Sequence, residues 1–411
     1  MNKKPLPSFI TVIDIGTHKT TALTAQVIDG RARMLGFSER RTDGVVKGTV
    51  IDVEKLHASV HEVINDLERV SQRAVEQIYL SIAGPSVEGE RVKGICIVPA
   101  HDGRITKLDY QQAIDSAKRL EPPAGRITLL HMRQPSILDN KPVGNPVGQQ
   151  GRRLEVSFWR ITMEEGNVRF RVSMANGMSI TVRDFILASH AAACAVTTDT
   201  EKQGGVCVID IGAGTTDWVL YFKGHILCSG SIAVGGEHIT NDLSIALRIS
   251  RETAEDLKLR FASGLHRDQD VNQTIWKDGD KSVGDQQFNR GTITQVSSLR
   301  YQEILSFVRK DIIVQLEQIF SGHEVKLDQN FLPSGVILTG GSANLADAAE
   351  AAQNVFGVTA RVGIPKFDNS SLQKSEYAGV VGMMIAALED APPVVRRQKG
   401  FMDILRDLFR F

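Results

Sequence analysis

Three apolar runs along this chain each lead into a polar turn rich in glycine. Residues 9–13 lead into 14–20, and residues 206–209 lead into 210–217. Short apolar runs bounded by glycine predict buried strands, and the apolar residues after each turn predict the second arm of a hairpin. Residues 336–343 repeat the strand and the glycine turn, and there we expect a helix to follow. Because the first two hairpins stand in separate halves of the chain, the pattern predicts two related half-domains that face each other.

The turns contain the residue types that bind a polyphosphate. Glycine has no Cβ, so backbone N–H groups in these turns can approach phosphate oxygens. Threonine hydroxyls can donate hydrogen bonds, a lysine adds positive charge, and carboxylates at strand ends suit Mg²⁺ held through its water ligands. A helix N-terminus after the third turn would favour anionic groups. The candidate nucleotide-binding residues are Asp14, Gly16, Thr17, Lys19, Asp210, Gly212, Gly214, Thr215, Thr216, Asp217, Gly340, Gly341 and Ser342, and those for Mg²⁺ are Asp14, Asp210 and Asp217.

The alternative is that each glycine only makes a tight hairpin. That explanation suffices for any single turn, but three such turns in this order favour a nucleotide site. The pattern is not one of the two common phosphate-binding motifs. The chain has no Gly-x-x-x-x-Gly-Lys-Ser/Thr, and no Gly-x-Gly-x-x-Gly opens a helix after the first strand.

The arrangement of the three turns resembles the actin-like ATPase superfamily, and within it the FtsA family of bacterial cell division proteins. The stretches that most resemble this family are 44–52, 79–84, 145–148, 151–154, 205–210 and 338–341. The resemblance covers nearly the whole chain from residue 9. It implies an α/β, two-lobed actin-like ATPase fold with duplicated ribonuclease-H-like halves, in which the usual subdomain 1B is missing and a different subdomain, 1C, is inserted elsewhere.

The resemblance also implies subdomain boundaries, while periodicity indicates individual elements. The expected subdomains are 1A at 1–83, 164–203 and about 366–390, 1C at 84–163, 2A at 204–235 and about 322–365, and 2B at 236–321, followed by a linker at 391–400 and a tail helix at 401–411. The pattern along the chain predicts helices at about 53–73 and 108–120 and a strongly periodic one at 300–320. The resemblance implies further helices at 185–194 and about 238–247. We expect short strands around the helix of the inserted region, and a polar surface excursion at 263–292.

Relatives in the superfamily imply further nucleotide contacts. Gly236 lies in a glycine turn near the phosphates, and Glu255 and Lys258 match a helical pair that contacts the ribose and base. The alternative for that pair is a solvated ion pair on an exposed helix face. Many relatives place a carboxylate or amide in the helix at 185–194 to orient water. This helix has neither, and His190, which could serve, is more often a packing residue in such a setting. We therefore expect ATP binding with slow hydrolysis at most.

Composition narrows the range of functions. The chain has 411 residues, of which 42% are hydrophobic and 23% charged, which is ample for two lobes with cores. Its net charge is zero and no basic patch carries interleaved aromatic residues, so we expect no nucleic-acid partner. The four cysteines are scattered through apolar runs, which predicts free thiols in a reducing cytosol. We expect no secretory signal and no membrane-spanning segment.

The end of the chain has the pattern of an amphipathic helix, and the resemblance implies that this helix targets the membrane. Five apolar residues share one face of a helix over 401–411, and basic residues precede and flank it. A helix of this length extends about 16 Å, too short to span a bilayer, so we expect it to lie on an anionic membrane surface. The alternatives are docking on the protein's own core or on a partner protein. The proposed membrane-facing residues are Phe401, Ile404, Leu405, Leu408 and Phe409.

The resemblance implies partners as well as cofactors. FtsA relatives bind the C-terminal peptide of FtsZ on subdomain 2B, near an Arg-x-x-Glu at a helix start, and Arg300 and Glu303 occupy that place. The expected function is an ATP- and Mg²⁺-binding, actin-like membrane anchor that tethers FtsZ filaments to the cytoplasmic face of the bacterial inner membrane at the division site. It would self-associate into filaments and contact other divisome proteins through subdomain 1C.

Three other functions fit the same fold. A PilM-like cytosolic adaptor for type IV pilus assembly would need no membrane tail. A small-molecule kinase would need a carboxylate base near the phosphates and a substrate pocket, and the inserted region shows no candidate for either. A chaperone ATPase would need a peptide-binding domain after the ATPase domain.

Overall fold

The computed structural model describes residues 9–28, 30–98, 103–277, 286–320 and 326–389. The predicted linker and tail helix lie outside these residues. The chain up to the inserted region forms β1 (Phe9–Ile15), β2 (Lys19–Ile28), β3 (Arg31–Arg41), β4 (Val45–Val46), β5 (Thr49–Val50), α1 (Val53–Ser71) and β6 (Gln77–Ile82). The inserted region forms β7 (Val87–Ile97), α2 (Lys107–Lys118), β8 (Arg126–Arg133), β9 (Ser136–Leu138), β10 (Lys141–Val143) and β11 (Arg153–Glu164).

The remaining elements complete the first lobe and build the second. They are α3 (Glu165–Gly177), β12 (Thr181–Leu187), α4 (Ala188–Val196), α5 (Asp199–Gly204), β13 (Val206–Ile211), β14 (Thr216–Phe222), β15 (His225–Ile232), α6 (Gly236–Leu247), α7 (Arg251–Phe261), β16 (Thr274–Lys277), β17 (Gln286–Asn289), α8 (Arg290–Ile319), β18 (Val336–Thr339), α9 (Ala348–Phe356), β19 (Ala360–Val362) and α10 (Ala378–Leu388). α10 returns to the first lobe, where it packs against α4 and β1.

The two lobes are built on five-stranded sheets that share one topology. The strand order is β12-β6-β1-β2-β3 in the first sheet and β19-β18-β13-β14-β15 in the second. In each sheet an antiparallel three-stranded meander is extended by two parallel strands. The predicted two-lobed α/β fold with duplicated halves is therefore confirmed.

The first two predicted hairpins are confirmed, and their strands continue into the turns. In the first lobe Asp14 pairs with Thr21 across β1 and β2, and in the second Asp210 pairs with Asp217 across β13 and β14. β1 runs parallel to β6, and β13 runs parallel to β18. Both aspartates therefore lie at the edge where the parallel strands of their sheet have their carboxyl ends. Ligands of open α/β sheets bind at this edge.

Helix α1 shows how the sequence sets the element boundaries of the first lobe. The Asp52 side chain accepts a hydrogen bond of 3.1 Å from the Lys55 N–H at the start, and Gln72 ends the helix in the left-handed region. Between them a buried stripe packs against β2 and β3, and its members are Leu56, Val60, Val63 and Leu67. The helix predicted at 53–73 is confirmed.

The inserted region is a sheet with one helix packed against it. β11 lies at the centre, between β7 on one side and β8 and β9 on the other. The helix predicted at 108–120 is confirmed as α2. The prediction of short strands is right for β9 and β10, with 3 residues each, and wrong for β7, which has 11 residues, and β11, which has 12. Gly89 and Gly94 interrupt the apolar pattern of β7. Each glycine allows a close approach, by the Trp159 ring and by the backbone of α2 respectively.

Two predicted helix starts are wrong. Residues 185–187 belong to the end of β12, and α4 begins at Ala188 with no side-chain cap that would have marked the boundary. α8 begins ten residues before Arg300, capped by the Asn289 side chain, so Arg300 lies inside a helix. Threonine and serine residues in its first turns, which are weak helix formers, hid this start. Residues 263–292 accordingly contain a strand hairpin and the first turn of α8.

Candidate nucleotide-binding site

The turns of the two hairpins meet between the lobes. We call residues 16–18 the first phosphate loop and residues 212–215 the second. The Gly16 N–H donates to the Lys19 carbonyl oxygen over 3.0 Å, and the Gly212 N–H donates to the Thr215 carbonyl oxygen over 2.9 Å, so the two turns have the same form. A Cβ atom at Gly214 would lie 2.6 Å from Thr17 Oγ1. The two loops are therefore in contact across the lobes.

Three carboxyl groups lie next to these loops, of which Asp217 is buried and Asp14 and Asp210 are half-buried. Burial raises the pKa of Asp14, against a hydrogen bond from Ser81 and the positive charges of Lys19 and Arg171. Burial, together with the neighbouring Asp217 and Asp14 carboxyl groups, raises the pKa of Asp210 to about 8. The aspartates predicted from both halves of the chain are thus close enough to affect one another. Such a group of carboxylates is unfavourable without a compensating cation.

Asp217 also has a structural role. Its Oδ1 accepts a hydrogen bond of 3.1 Å from the Gly84 N–H at the start of the inserted region, and its Oδ2 accepts one of 3.0 Å from Thr215 Oγ1. Burial raises its pKa. No group of three or more His, Cys, Asp or Glu side chains within the described ranges is spaced to ligate a metal ion. The predicted Mg²⁺ contact was through water ligands, which suits this donor set, and it stays a prediction.

The third glycine turn lies beside the second phosphate loop. Gly340 has a φ of 85°, and a Cβ atom there would lie 2.3 Å from Asp210 Oδ1. Ser342 Oγ donates to the Gly212 carbonyl oxygen over 3.4 Å. The predicted strand before this turn is confirmed as β18. The expected helix N-terminus at the turn is wrong, because a short 3₁₀ turn over Gly341–Asn344 comes first and α9 begins at Ala348.

Gly236 joins the same cluster from the start of α6. Its N–H donates to the Gly212 carbonyl oxygen over 2.9 Å, and a Cβ atom would lie 2.3 Å from Ser342 Oγ. Thr216 does not present its hydroxyl to this cluster, since Oγ1 donates to the Val234 carbonyl oxygen over 2.8 Å. Of the predicted residues, Gly212, Gly236 and Ser342 are therefore brought together, whereas the Thr216 side chain is used within the second lobe.

The helical pair on α7 belongs to a hydrogen-bonded network in which Lys258 is buried and Glu255 is half-buried. Lys258 is 9% exposed, and its Nζ donates to Glu255 Oε2 over 2.7 Å, to Thr240 Oγ1 over 2.9 Å and to the Gly236 carbonyl oxygen over 3.3 Å. Burial alone would raise the pKa of Glu255, but the Lys258 charge and the hydrogen bonds from Lys258 and Thr240 lower it. The alternative of a solvated surface pair is wrong for Lys258. Thr240, which the sequence analysis missed, lies one helical turn after Gly236.

Two other candidate residues already have partners within the protein. Lys19 Nζ lies 2.9 Å from Glu39 Oε2 and 4.0 Å from the centroid of the Tyr377 ring, so its charge is already paired within the first lobe. His190 Nδ1 lies 2.5 Å from the Tyr221 hydroxyl, at the end of β14 remote from the second phosphate loop. His190 is therefore a packing residue, and no carboxylate or amide replaces it on α4.

The predicted partner pair lies on the surface of α8. Arg300 Nε donates to Asp242 Oδ2 over 2.5 Å, and its guanidinium also pairs with Glu303. The pair is not at a helix start, because α8 begins at Arg290. Arg300 is thus held against α6 by Asp242. The predicted membrane-facing residues of the tail lie outside the described residues. The four cysteines are free, as expected.

Comparisons with known proteins place this fold. A chain of the PilM–PilN type IV pilus biogenesis complex superposes with a TM-score of 0.60 at 14% identity, over 95% of this chain and 100% of that one. MreB5 of Spiroplasma citri bound to ADP superposes with a TM-score of 0.54 at 15% identity, over 93% of this chain and 97% of that one. The protein has the actin-like ATPase fold.

Sequence comparison identifies the family within that class. The profile described as "Cell division protein FtsA" matches residues 207–382, and the one described as "SHS2 domain inserted in FTSA" matches 84–162, together more than half of the chain. The cell division protein FtsA of Pseudomonas aeruginosa is 29% identical over 92% of this chain and 89% of its own. The chain belongs to the FtsA family of cell division proteins. No helix among the described residues is long and apolar enough to cross a membrane.

Proposed function

We propose that this protein binds ATP with Mg²⁺ between its lobes and uses the bound nucleotide to hold them together. The observation that carries the proposal is the contact of the two phosphate loops, Gly214 against Thr17, next to the half-buried carboxyl groups of Asp14 and Asp210. Backbone N–H groups and hydroxyls of the loops would bind the phosphates. Mg²⁺ would neutralise phosphate charge, and its water ligands would contact the aspartates.

The nucleoside end of the ligand fits the opposite side of the cluster. The Glu255–Lys258 pair and the third glycine turn both adjoin Gly236, so we assign the ribose and base to them. Hydrolysis should be slow. A water near the terminal phosphate would find no carboxylate or amide on α4, and proton transfer from that water has no positioned base there.

This site would serve a membrane-bound scaffold of cell division. Membership of the FtsA family supports a protein that self-associates as an actin-like filament and tethers FtsZ to the cytoplasmic face of the inner membrane. The tail at 401–411 would provide the membrane contact, Arg300 and Glu303 would contribute to the FtsZ-tail surface, and the inserted region would contact other divisome proteins. Assembly would strengthen weak individual tails by avidity.

The membrane function is tested by co-sedimentation with anionic liposomes, with and without ATP. The full chain should pellet, more strongly with ATP, and a truncation after Gly400 should stay in solution. A truncated protein that still pellets would show that the tail is not the anchor. If neither form pellets, a cytosolic adaptor of the PilM kind becomes the better account.

A further inference from the structure

A short hairpin of the first lobe ends beside both phosphate loops. β4 and β5 pair antiparallel and are joined by two residues, Lys47 and Gly48. Both have positive φ, 50° and 73°, as a two-residue turn between twisted strands requires. A turn of this kind fixes the position of its tip closely. We call residues 45–50 the tip hairpin.

Gly48 is in contact with parts of both lobes. Its N–H donates to Thr17 Oγ1 of the first phosphate loop over 3.1 Å. A Cβ atom on it would lie 2.7 Å from Thr215 Cγ2 of the second phosphate loop and 3.2 Å from the Cα of Gly84. Gly84 in turn donates its N–H to Asp217. The tip hairpin therefore lies where the lobes approach each other.

Lys47 brings an unpaired positive charge to the same place. Its side chain is exposed, and it forms no ion pair with any residue that the structure describes. Burial and, to a smaller extent, the Lys47 charge lower the pKa of His238 in the first turn of α6, as expected for a lysine beside the Gly48 contact with the second lobe. Lys19, the lysine expected at the phosphates, is already paired with Glu39. Of these two lysines, Lys47 is the one whose ammonium group is available to a ligand.

We propose that Lys47 binds the terminal phosphate of a bound nucleoside triphosphate from across the cleft, and that the tip hairpin thereby distinguishes triphosphate from diphosphate. The inference rests on the nucleotide-binding function proposed above. The nucleoside end of the site lies by Lys258 and Gly236, whereas Gly48 contacts Thr17 and Thr215, so the tip hairpin lies at the phosphate end. A diphosphate would leave Lys47 without this contact.

The experiment is calorimetric titration of the full chain with ATP and with ADP in the presence of Mg²⁺. Lys47→Gln should weaken ATP binding about tenfold and change ADP binding by less than about twofold, since a charge-assisted contact is lost only with ATP. Lys47→Arg should restore most of the ATP affinity. Lys55→Gln is the matched control, an exposed lysine on α1 whose ion-pair partner among the described residues is Asp52. The inference is overturned if Lys47→Gln binds ATP as tightly as the wild type does, or if the substitution weakens the binding of ATP and ADP equally.

A second pair of variants tests the position of the tip hairpin. Gly48→Ala should also weaken ATP binding, because its methyl group would displace Thr215. Gly30→Ala is its control, since Gly30 has a similar φ of 76° but no atom within 4 Å of a Cβ. Equal ATP affinities for the two variants contradict the proposed position. If the wild type binds neither nucleotide, the nucleotide-binding proposal itself is overturned. If the wild type binds both nucleotides and Lys47→Gln binds them with the same affinities, only the role of Lys47 is overturned.

Discussion

At the scale of single residues, the buried ammonium group of Lys258 has the most consequence for the proposed site. Lys258→Met would leave the Glu255 carboxylate without its cation and expose the Gly236 turn to rearrangement. We expect nucleotide affinity to fall about tenfold or more and the free energy of unfolding to fall by about 1–3 kcal/mol, because three acceptors around Lys258 Nζ would lose their donor. Nucleotide titration and urea unfolding measure the two effects.

Arg260→Gln provides the control on the same helix. Arg260 is exposed and lies 3.7 Å from Asp256, a surface pair of the kind that contributes about 1 kcal/mol or less. If the two variants reduce nucleotide affinity equally, the effect belongs to helix α7 in general and the role assigned to Lys258 is wrong.

His190 predicts a pH dependence of stability. Burial, with a contribution from Lys202, lowers its pKa to about 4, from an ordinary value of about 6.5. The unfolded chain therefore takes up a proton near pH 6.5 that the folded protein takes up only near pH 4. The free energy of unfolding should decrease as the pH falls from about 6.5 to about 4 and lose this dependence below it.

The comparison that isolates this effect is urea unfolding of the wild type and His190→Gln across that pH range. The variant should show a shallower decrease, while His131, whose pKa burial also lowers to about 4, contributes its own share in both proteins. Parallel curves for the two proteins would exclude His190 as the titrating group.

Single residues also show where sequence reasoning succeeds. The aspartates and glycines of both phosphate loops could be predicted because their strand-turn pattern is local and repeated. Gly48 and Thr240 could not, since each joins the cluster through contacts between segments far apart in the sequence. The pairing of Lys19 with Glu39 was equally hidden, because it depends on the register of β2 with β3.

At the scale of elements, the inserted region is docked on an edge strand of the second lobe. The Gln134 side chain, 2% exposed, donates to the Ile226 and Leu227 carbonyl oxygens of β15 over 3.2 and 2.9 Å. Nearby, Trp159 Nε1 donates to Ser229 Oγ over 2.9 Å. The edge of the second sheet is thus covered by a region that the sequence inserts into the first lobe.

Gln134→Ala should destabilise the protein, because two carbonyl oxygens of β15, one buried and one half-buried, would lose their donor. We expect a loss of about 1–3 kcal/mol in the free energy of unfolding, measured in urea. The control is Gln149→Ala in the same region, where an exposed amide donates to the Asn145 carbonyl oxygen over 2.7 Å and water can replace it. Equal losses for both variants would mean that Gln134 contributes no more than a surface hydrogen bond.

Element boundaries were predictable where a cap marks them and not where it is missing. Asp52 marks the start of α1, whereas α4 follows β12 without a capping side chain. The start of α8 did carry a signal, Asn289, which the weak helix formers after it obscured. Burial of residues 185–187 in the sheet is a tertiary effect that an apolar run alone does not separate from a helix.

At the scale of the whole molecule, the function proposed here depends on how closely the lobes can approach. Gly214→Ala would place a methyl group against Thr17. Because Gly214 belongs to the second lobe and Thr17 to the first, the methyl group would push the two lobes apart. Each lobe keeps its own sheet and the substitution lies in a turn between two strands, so the variant should remain folded with its phosphate loops held slightly apart. Nucleotide must then bridge a wider gap, and we expect affinity to fall about tenfold or more.

Thermal unfolding with and without ATP and Mg²⁺ measures this loss of nucleotide affinity. A ligand that binds only the folded protein stabilises it by about 2.7 kcal/mol at a hundred times its Kd. The wild type should gain stability with ATP, and Gly214→Ala should gain little while matching the wild type without nucleotide. Gly166→Ala controls for the added methyl group, because a Cβ there meets no atom within 4 Å. A Gly214→Ala protein stabilised by ATP as strongly as the wild type would show that nucleotide binding does not need the two phosphate loops in contact.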